Sequence, residues 1–214
     1  MAVPRADTIA LFMLSALALN LSPGPSILYI LSRCMGQGRR AGIVSVLGLA
    51  TAAVLQAFAA AFGLSALFVY SPLAFAIVKY CGAAYLVYLG LRGLAAGGLV
   101  GAAVAVADAP RRSLRAVYWH GVVTDLLNPK LLIFFFSFLP QFVDPGLGEP
   151  GRQILFFGLL FQATALPVNL IVAMAGGSLG NLLARSPFWA RVQTWFSSAV
   201  LIGLGLRLAL AERR

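Results

Sequence analysis

Long stretches of the chain without a charged side chain alternate with short stretches that carry several. Residues 8–32 hold no charge, and neither do residues 41–78. A membrane-spanning helix takes about 20 largely apolar residues, so the first stretch predicts span 1. The second would reach about 57 Å as one helix at about 1.5 Å per residue, far beyond the thickness of a bilayer, so it must turn. Ser71-Pro72 marks the restart, because Ser favours the N-cap and Pro fits the first helical position. Span 2 is therefore expected over 42–64 and span 3 over 72–94, with span 4 over 116–142 and span 5 over 153–176. Ser186-Pro187 repeats the cap-and-Pro start and opens span 6, 187–210. The pattern predicts an all-α polytopic membrane protein with six transmembrane helices in a single transmembrane domain, 1–214, comprising a first half 1–97, a linker 98–112 and a second half 113–214.

Composition supports this solvent assignment. Apolar residues make up 61% and charged residues 10% of the chain, against roughly 45–50% and about 25% in soluble domains. A core of this size cannot hide that much apolar side chain from water. The net charge of +10 first suggests a nucleic-acid partner, but the basic residues sit in short clusters between apolar runs: Arg33, Arg39 and Arg40, then Arg111, Arg112 and Arg115. Nucleic-acid binding needs one solvated basic face, whereas this distribution is that of cytoplasmic loops beside anionic lipid. The intervening segments 65–71 and 143–152 are uncharged or acidic on balance. The positive-inside rule then places the basic loops in the cytoplasm and both termini outside a bacterial cytoplasmic (inner) membrane, although Arg207, Arg213 and Arg214 pull the other way. Ala16-Leu17-Ala18 mimics a signal-peptidase site, but the apolar run continues past it to Ser32, which predicts a retained span. Cys34 and Cys81 read as small packing residues rather than a disulfide.

The two halves share their punctuation. Span 1 is interrupted at Ser22-Pro23-Gly24-Pro25 and span 4 at Asn128-Pro129, while spans 3 and 6 both open with Ser-Pro. Three helices per half is an odd number, so the second half must be inverted relative to the first. Interrupted helices in corresponding positions of inverted repeats point to a transporter's binding site. A Pro lacks the N–H that would continue the helix, and Ser22 and Asn128 can cap half-helices that restart there. Such N-termini attract a carboxylate, and Gly24 would let a ligand approach the backbone. The plainer alternative is a pair of kinks.

Few ionisable groups lie within the predicted spans: Lys79, Asp125 and Lys130 stand out. A charge at mid-membrane costs at least about 2.5–3.5 kcal/mol, so each calls for a partner or a purpose. The sequence leaves open a structural Lys–Asp pair or a functional site. In the functional case Asp125 binds an amine or carries a coupling proton, Lys130 binds a carboxylate, and Lys79 belongs to the coupling machinery. His120, Thr124 and Asn128 form one stripe on span 4. Asn20, Gln56, Gln162 and Asn169 are amides that could line a cavity or bond across helices, and Pro167 predicts a kink in span 5. Small residues Ala52, Ala59, Ala60 and Gly63 flank Gln56 and predict close helix approach. No phosphate loop, H-E-x-x-H motif or nucleophile elbow occurs, so the chain is expected not to be an enzyme and to hold no metal or organic cofactor.

The motifs resemble those of the LysE/RhtB family of amino-acid exporters, the lysine and homoserine/threonine efflux permeases. The resemblance runs through Ser22-Pro23-Gly24-Pro25, Leu31-Ser32-Arg33, Gly38-Arg39-Arg40-Ala41-Gly42, Gly82-Ala83-Ala84-Tyr85-Leu86 and Tyr88-Leu89-Gly90. It continues through Asn128-Pro129-Lys130, Phe134-Phe135, Leu139-Pro140-Gln141-Phe142 and the ending Leu201 to Leu208, covering about 8–210 in order. It implies export of amino acids or close derivatives, coupled to H+, with binding roles at Pro23, Gly24, Pro25, Asn128, Pro129 and Lys130. The site expected overall comprises these with Ser22, Asn20 and Gln56 for substrate, and Asp125 and Lys79 for coupling. A homo-oligomer is also expected. Ser26 stands where relatives often carry Asn or Asp, and span 2 has Gln56 where a polar or acidic group is frequent.

The loop charges yield a topology prediction. A cysteine introduced at position 146 should react with an impermeant thiol reagent in whole cells, and one at position 108 should not. The reverse labelling pattern would invert the orientation.

Overall fold

The computed structural model describes residues 4–70, 72–95, 111–185 and 187–210, and every regular element among them is helical. The helices are α1 (Ala6–Leu21), α2 (Pro25–Gln37), α3 (Arg39–Tyr70), α4 (Pro72–Ala95), α5 (Leu114–Leu126), α6 (Pro129–Ile133), α7 (Pro150–Arg185) and α8 (Pro187–Leu210). A π turn, Phe134–Phe138, and a 3₁₀ turn, Leu139–Phe142, extend α6, and a second 3₁₀ turn, Pro145–Leu147, precedes α7.

Among the described residues, three stretches are long and apolar enough to cross a membrane by themselves: Arg39–Gly63, Pro150–Gly176 and Arg191–Leu210. Two bent pairs bring the number to five if each is one span: α1 with α2, bent by 46°, and α5 with the segment Pro129–Phe142, bent by 47°. The chain is a multi-pass membrane protein. Helix α8 coincides with the expected span 6, and α4 runs one residue past span 3. Helices α3 and α7 overrun the expected spans 2 and 5, with 32 and 36 residues. The reason is that charge does not end a helix. Arg39 and Arg40 lie in the first turn of α3, where Arg is a good helix former, and headgroups or water accept its charge. Pro167 lies inside α7, which continues through it as one helix. Ser71, Ser186, the linker 98–112 apart from Arg111 and Arg112, and the chain after Leu210 lie outside the described residues.

Two helix pairings dominate: α3 runs along α7, and α4 along α8. Helix α5 packs on α3, α2 lies against both α3 and α7, and α1 lies against α7. The small residues of α3 make this possible, though not as the set expected around Gln56: Ala52, Ala53, Ala57, Ala60 and Ala61 are buried, while Ala59 and Gly63 are exposed. At Gly48 an added Cβ would run into the carbonyl of Tyr118 on α5, so only glycine lets these two backbones meet.

Phenylalanines from three segments form the centre of the largest core. Phe12 of α1 lies 4.8 Å from Phe157 of α7 between ring centroids, and meets Phe142 edge-on at 5.1 Å. Phe134 lies 4.6 Å from Phe161. These offset and edge contacts are the arrangements that ring quadrupoles favour. Arg207 of α8 reaches into the same cluster, its guanidinium 5.1 Å from the Phe142 centroid and donating to Ser15 Oγ at 2.8 Å. In this way α8 is tied to both broken helices.

The Gly48 contact provides a stability test. Gly48→Leu should cost about 1–3 kcal/mol or more through overpacking against the α5 backbone. Gly63→Ala, where nothing lies within 4 Å, should be neutral or slightly stabilising. Thermal unfolding of the two purified variants in detergent checks the contrast, and equal midpoints would count against the close approach.

Candidate functional site

Each broken helix is shaped by the carbonyl its proline orphans. In an α-helix the N–H of residue 23 would bond the carbonyl of residue 19, and that of residue 129 the carbonyl of residue 125. Pro23 and Pro129 have no N–H to give. In a bilayer such a carbonyl must find a donor within the protein, and both do. Leu19 O accepts from Ser22 N at 3.1 Å and from Lys130 Nζ at 3.1 Å. Asp125 O accepts from Asn128 N at 3.0 Å and from Gln56 Nε2 at 3.0 Å. Gln56 Nε2 also lies 3.4 Å from Leu126 O. A lysine of the second half thus completes the break in the first, and a glutamine of the first half completes the break in the second.

The restarts differ from the sequence expectation on one side. Asn128 caps α6 as expected, its Oδ1 accepting from Lys130 N at 3.1 Å, with Pro129 in the first turn. Ser22 does not cap α2. It closes α1 as the C-cap, and α2 starts at Pro25 with Gly24 as its N-cap and no side-chain cap. The physical reason lies in the second proline: Pro25, fixed near a helical φ, takes the first helical position and moves the cap forward from residue 22 to residue 24. Ser22 is fully buried, and its Oγ has no hydrogen-bond partner.

Between the two breaks lies a narrow cavity of about 30 Å³, lined by Asn20, Ser22, Gly24, Ser26, Asp125 and Lys130. Gln162, Ala165 and Asn169, at i, i+3 and i+7 on α7, close another side, and Leu131 and Phe161 provide apolar surface. This volume holds a water or so, while small-molecule pockets run to roughly 300–1,000 Å³. The helices around the breaks must therefore separate before a larger ligand enters.

Asp125 is 4% exposed and Lys130 8%, yet they form no ion pair; among the described residues the ion pairs within 4 Å are Arg5–Asp7 and Arg152–Glu149. Asp125 Oδ1 accepts instead from Ser26 Oγ, which in turn accepts from Asn128 Nδ2 at 3.0 Å. This chain of donors crosses from α6 through the start of α2 to the end of α5. Lys130 turns the other way, toward α1, and donates to Ser22 O at 2.6 Å as well as to Leu19 O. Gly24 makes room for it, since a Cβ there would stand 3.3 Å from Nζ. The carbonyls at a helix C-terminus carry the negative end of the helix dipole, so an ammonium is well placed there.

Pro23, Pro25 and Pro129 shape the backbone but do not line the cavity, and neither does Gln56, which is buried behind Asp125. Asn20 lines it while donating to Thr164 Oγ1 at 3.0 Å, tying α1 to α7. Lys79 lies outside the cavity, half-buried on α4 with its ammonium 4.9 Å from the Tyr80 ring centroid. His120 is exposed and sits beside the Arg112 guanidinium. The stripe of His120, Thr124 and Asn128 therefore brings only Asn128 to the breaks. Sequence reasoning gave no role to Ser26, the hub of the polar chain, although a hydroxyl directly after Pro23-Gly24-Pro25 was the available signal.

The comparisons with known proteins agree with this arrangement of motifs. An uncharacterized membrane protein of Pseudomonas aeruginosa is 29% identical over 203 residues, covering 94% of each chain. An uncharacterized membrane protein of Bacillus subtilis is 26% identical over 195 residues, 88% of this chain and 92% of its own. The leucine efflux protein of Salmonella typhimurium is 26% identical over 202 residues, 94% of each. No solved structure matches. The model of the LysE type translocator family matches residues 17–212, nearly the whole chain and both helix breaks. The chain belongs to the LysE type translocator family.

Proposed function

We propose that the chain is a secondary transporter that exports amino acids or close derivatives across the bacterial cytoplasmic membrane, coupled to protons. The observation that carries this reading is the meeting of two interrupted helices around a narrow cavity lined by one carboxylate, one ammonium and the unpartnered Ser22 hydroxyl. A zwitterion calls for such a set of opposite charges. The relative named as a leucine efflux protein supports amino-acid export, and the apolar lining from Ile27, Leu49, Leu131 and Phe161 suits an aliphatic side chain.

Six spans in two inverted halves form part of the same reading. Helix α4, about 36 Å long at about 1.5 Å per residue, serves as the sixth. Bends of 46° and 47° in corresponding helices, and the pairing of α3 with α7 and α4 with α8, support the repeat. The basic ends Arg39–Arg40 and Arg111–Arg115 then face the cytoplasm and its anionic lipids. The cavity in this structure is too narrow for an amino acid, and opening it alternately to either side gives transport.

In this reading Lys130 takes the substrate carboxylate and Asp125, the carboxylate of the cavity, carries the coupling proton. The experiment is a substrate panel in proteoliposomes, with leucine, lysine and threonine, under an imposed pH gradient. Accumulation of none of the three sinks the reading.

Two variants probe the roles. Asp125→Asn keeps the size but cannot titrate, so it should retain substrate exchange while losing accumulation driven by the pH gradient. Loss of exchange as well would make Asp125 a substrate ligand. Lys130→Ala should weaken substrate affinity roughly 10–100-fold, the worth of about 1.5–3 kcal/mol for a hydrogen bond to a charged group. Lys130→Arg should rescue poorly, because the guanidinium is broader and Gly24 leaves little space. Apparent affinities for exchange measure both, and unaltered values would remove Lys130 from the site.

A further inference from the structure

The Lys130 ammonium occupies a site whose acceptors are main-chain carbonyls of another helix. Two main-chain carbonyls, Leu19 O and Ser22 O, converge on Nζ at 3.1 and 2.6 Å at the end of α1. They are the acceptors that the break at Pro23-Gly24-Pro25 sets free, held in place by backbone and by the C-cap bonds of Ser22 to Ala18 and Leu19. Beside them the Ser22 hydroxyl is fully buried, lines the cavity and has no partner. An ammonium has three N–H donors, and Lys130 uses two of them on the carbonyls.

We infer that the Leu19 and Ser22 carbonyls form a subsite for the primary ammonium group of the transported molecule, which Lys130 fills with its own side chain while the cavity is shut. The inference rests on the exporter reading and extends it to the order of events. The incoming ammonium replaces that of Lys130 on the two carbonyls, and the Ser22 hydroxyl takes its third N–H. The displaced Lys130 ammonium meets the carboxylate of the same molecule. No charge is left unpaired in the exchange, since one cation replaces another on the carbonyls and the freed cation finds an anion. Without a substrate, Lys130 returns and closes the site. Asp125, held by Ser26, stays free of the amine and available for a proton.

Compounds with an N-blocked amine, such as N-acetyl-leucine, are accordingly excluded as substrates, and those with a free primary amine and a carboxylate are accepted. A hydroxyl in place of the amine brings one donor in place of three and no charge.

The subsite can be tested apart from transport, in the purified full-length chain in detergent, with ethylammonium as the probe. Lys130→Met removes the tethered ammonium and keeps most of the stem, and Lys130→Gln is the second variant should the first not fold. Ethylammonium should raise the unfolding temperature of the variant with a half-saturating concentration at least about tenfold below that of the wild type. Tetramethylammonium, which carries no N–H, and sodium at the same ionic strength should leave it unmoved. An equal response in wild type and variant, or none in the variant, overturns the subsite. A sodium response as large as that to ethylammonium also overturns it, in favour of a metal-cation site. Leucine exchange by the wild type is measured alongside. Exchange without the ammonium response removes the subsite and leaves the exporter reading intact, whereas the ammonium response without amino-acid transport upholds the subsite and ends the exporter reading.

Discussion

The structure turns on two carbonyls that cannot be left alone. In hydrocarbon an unsatisfied backbone oxygen costs several kcal/mol, so a spanning helix normally keeps all its hydrogen bonds to itself. Pro23 and Pro129 break that rule at Leu19 and Asp125. The donors that repair the damage come from other helices: Lys130 Nζ to Leu19 O, and Gln56 Nε2 to Asp125 O. Each repair is a tertiary contact, which fixes α1 against α6 and α3 against α5 at the depth of the breaks. The helices joined by these contacts, α1, α3, α5 and α6, also line the cavity.

This arrangement also limits how the protein can move. The paired helices α3 with α7 and α4 with α8 are packed along their lengths, whereas each break is held from outside by the hydrogen bonds of one side chain, Lys130 or Gln56. Long packed pairs behave as rigid units, and a bond from a flexible side chain can be exchanged for one from a ligand. Motion is therefore directed to the breaks, where Gly24 and the extended backbone of Ser22 and Asn128 already depart from helix. The phenylalanine cluster around Phe12, Phe134 and Phe157 closes one side of these breaks, and Arg207 anchors α8 to it through Ser15 and Phe142. Any opening on that side must carry or unseat this anchor.

Belonging to a family of translocators agrees with the physical picture. The polar chain from Asn128 through the half-buried Ser26 to Asp125 is short, and it occupies the carboxylate while the ammonium in the same cavity bonds elsewhere. Two opposite charges that share a site without pairing are costly in a low-dielectric interior. The protein offsets this with a hydroxyl donor for the anion and two carbonyls for the cation.

Much of the architecture was written in one dimension. The uncharged runs, Ser-Pro restarts and proline breaks located the helices, because lipid permits few alternatives to a long apolar helix. Span 6 was legible to the residue at Pro187 and Leu210, and the breaks at Pro23 and Pro129 were legible because proline's missing N–H is a covalent fact. Helix ends at charged residues were not, since Arg39 extends α3 where a loop was expected. The identity of the polar residues was also readable, but their pairing was not. The sequence left open whether Asp125 and Lys130 form a structural pair or a functional site, and Ser22 looked like a cap. Whether a lysine turns toward a carboxylate or toward the carbonyl end of another helix depends on which backbone passes within reach, and that is decided by how α1, α2 and α6 pack. Ser26 shows the same division: its hydroxyl was visible in the chain, but its place between Asp125 and Asn128, about a hundred residues away, exists only once the two broken helices meet.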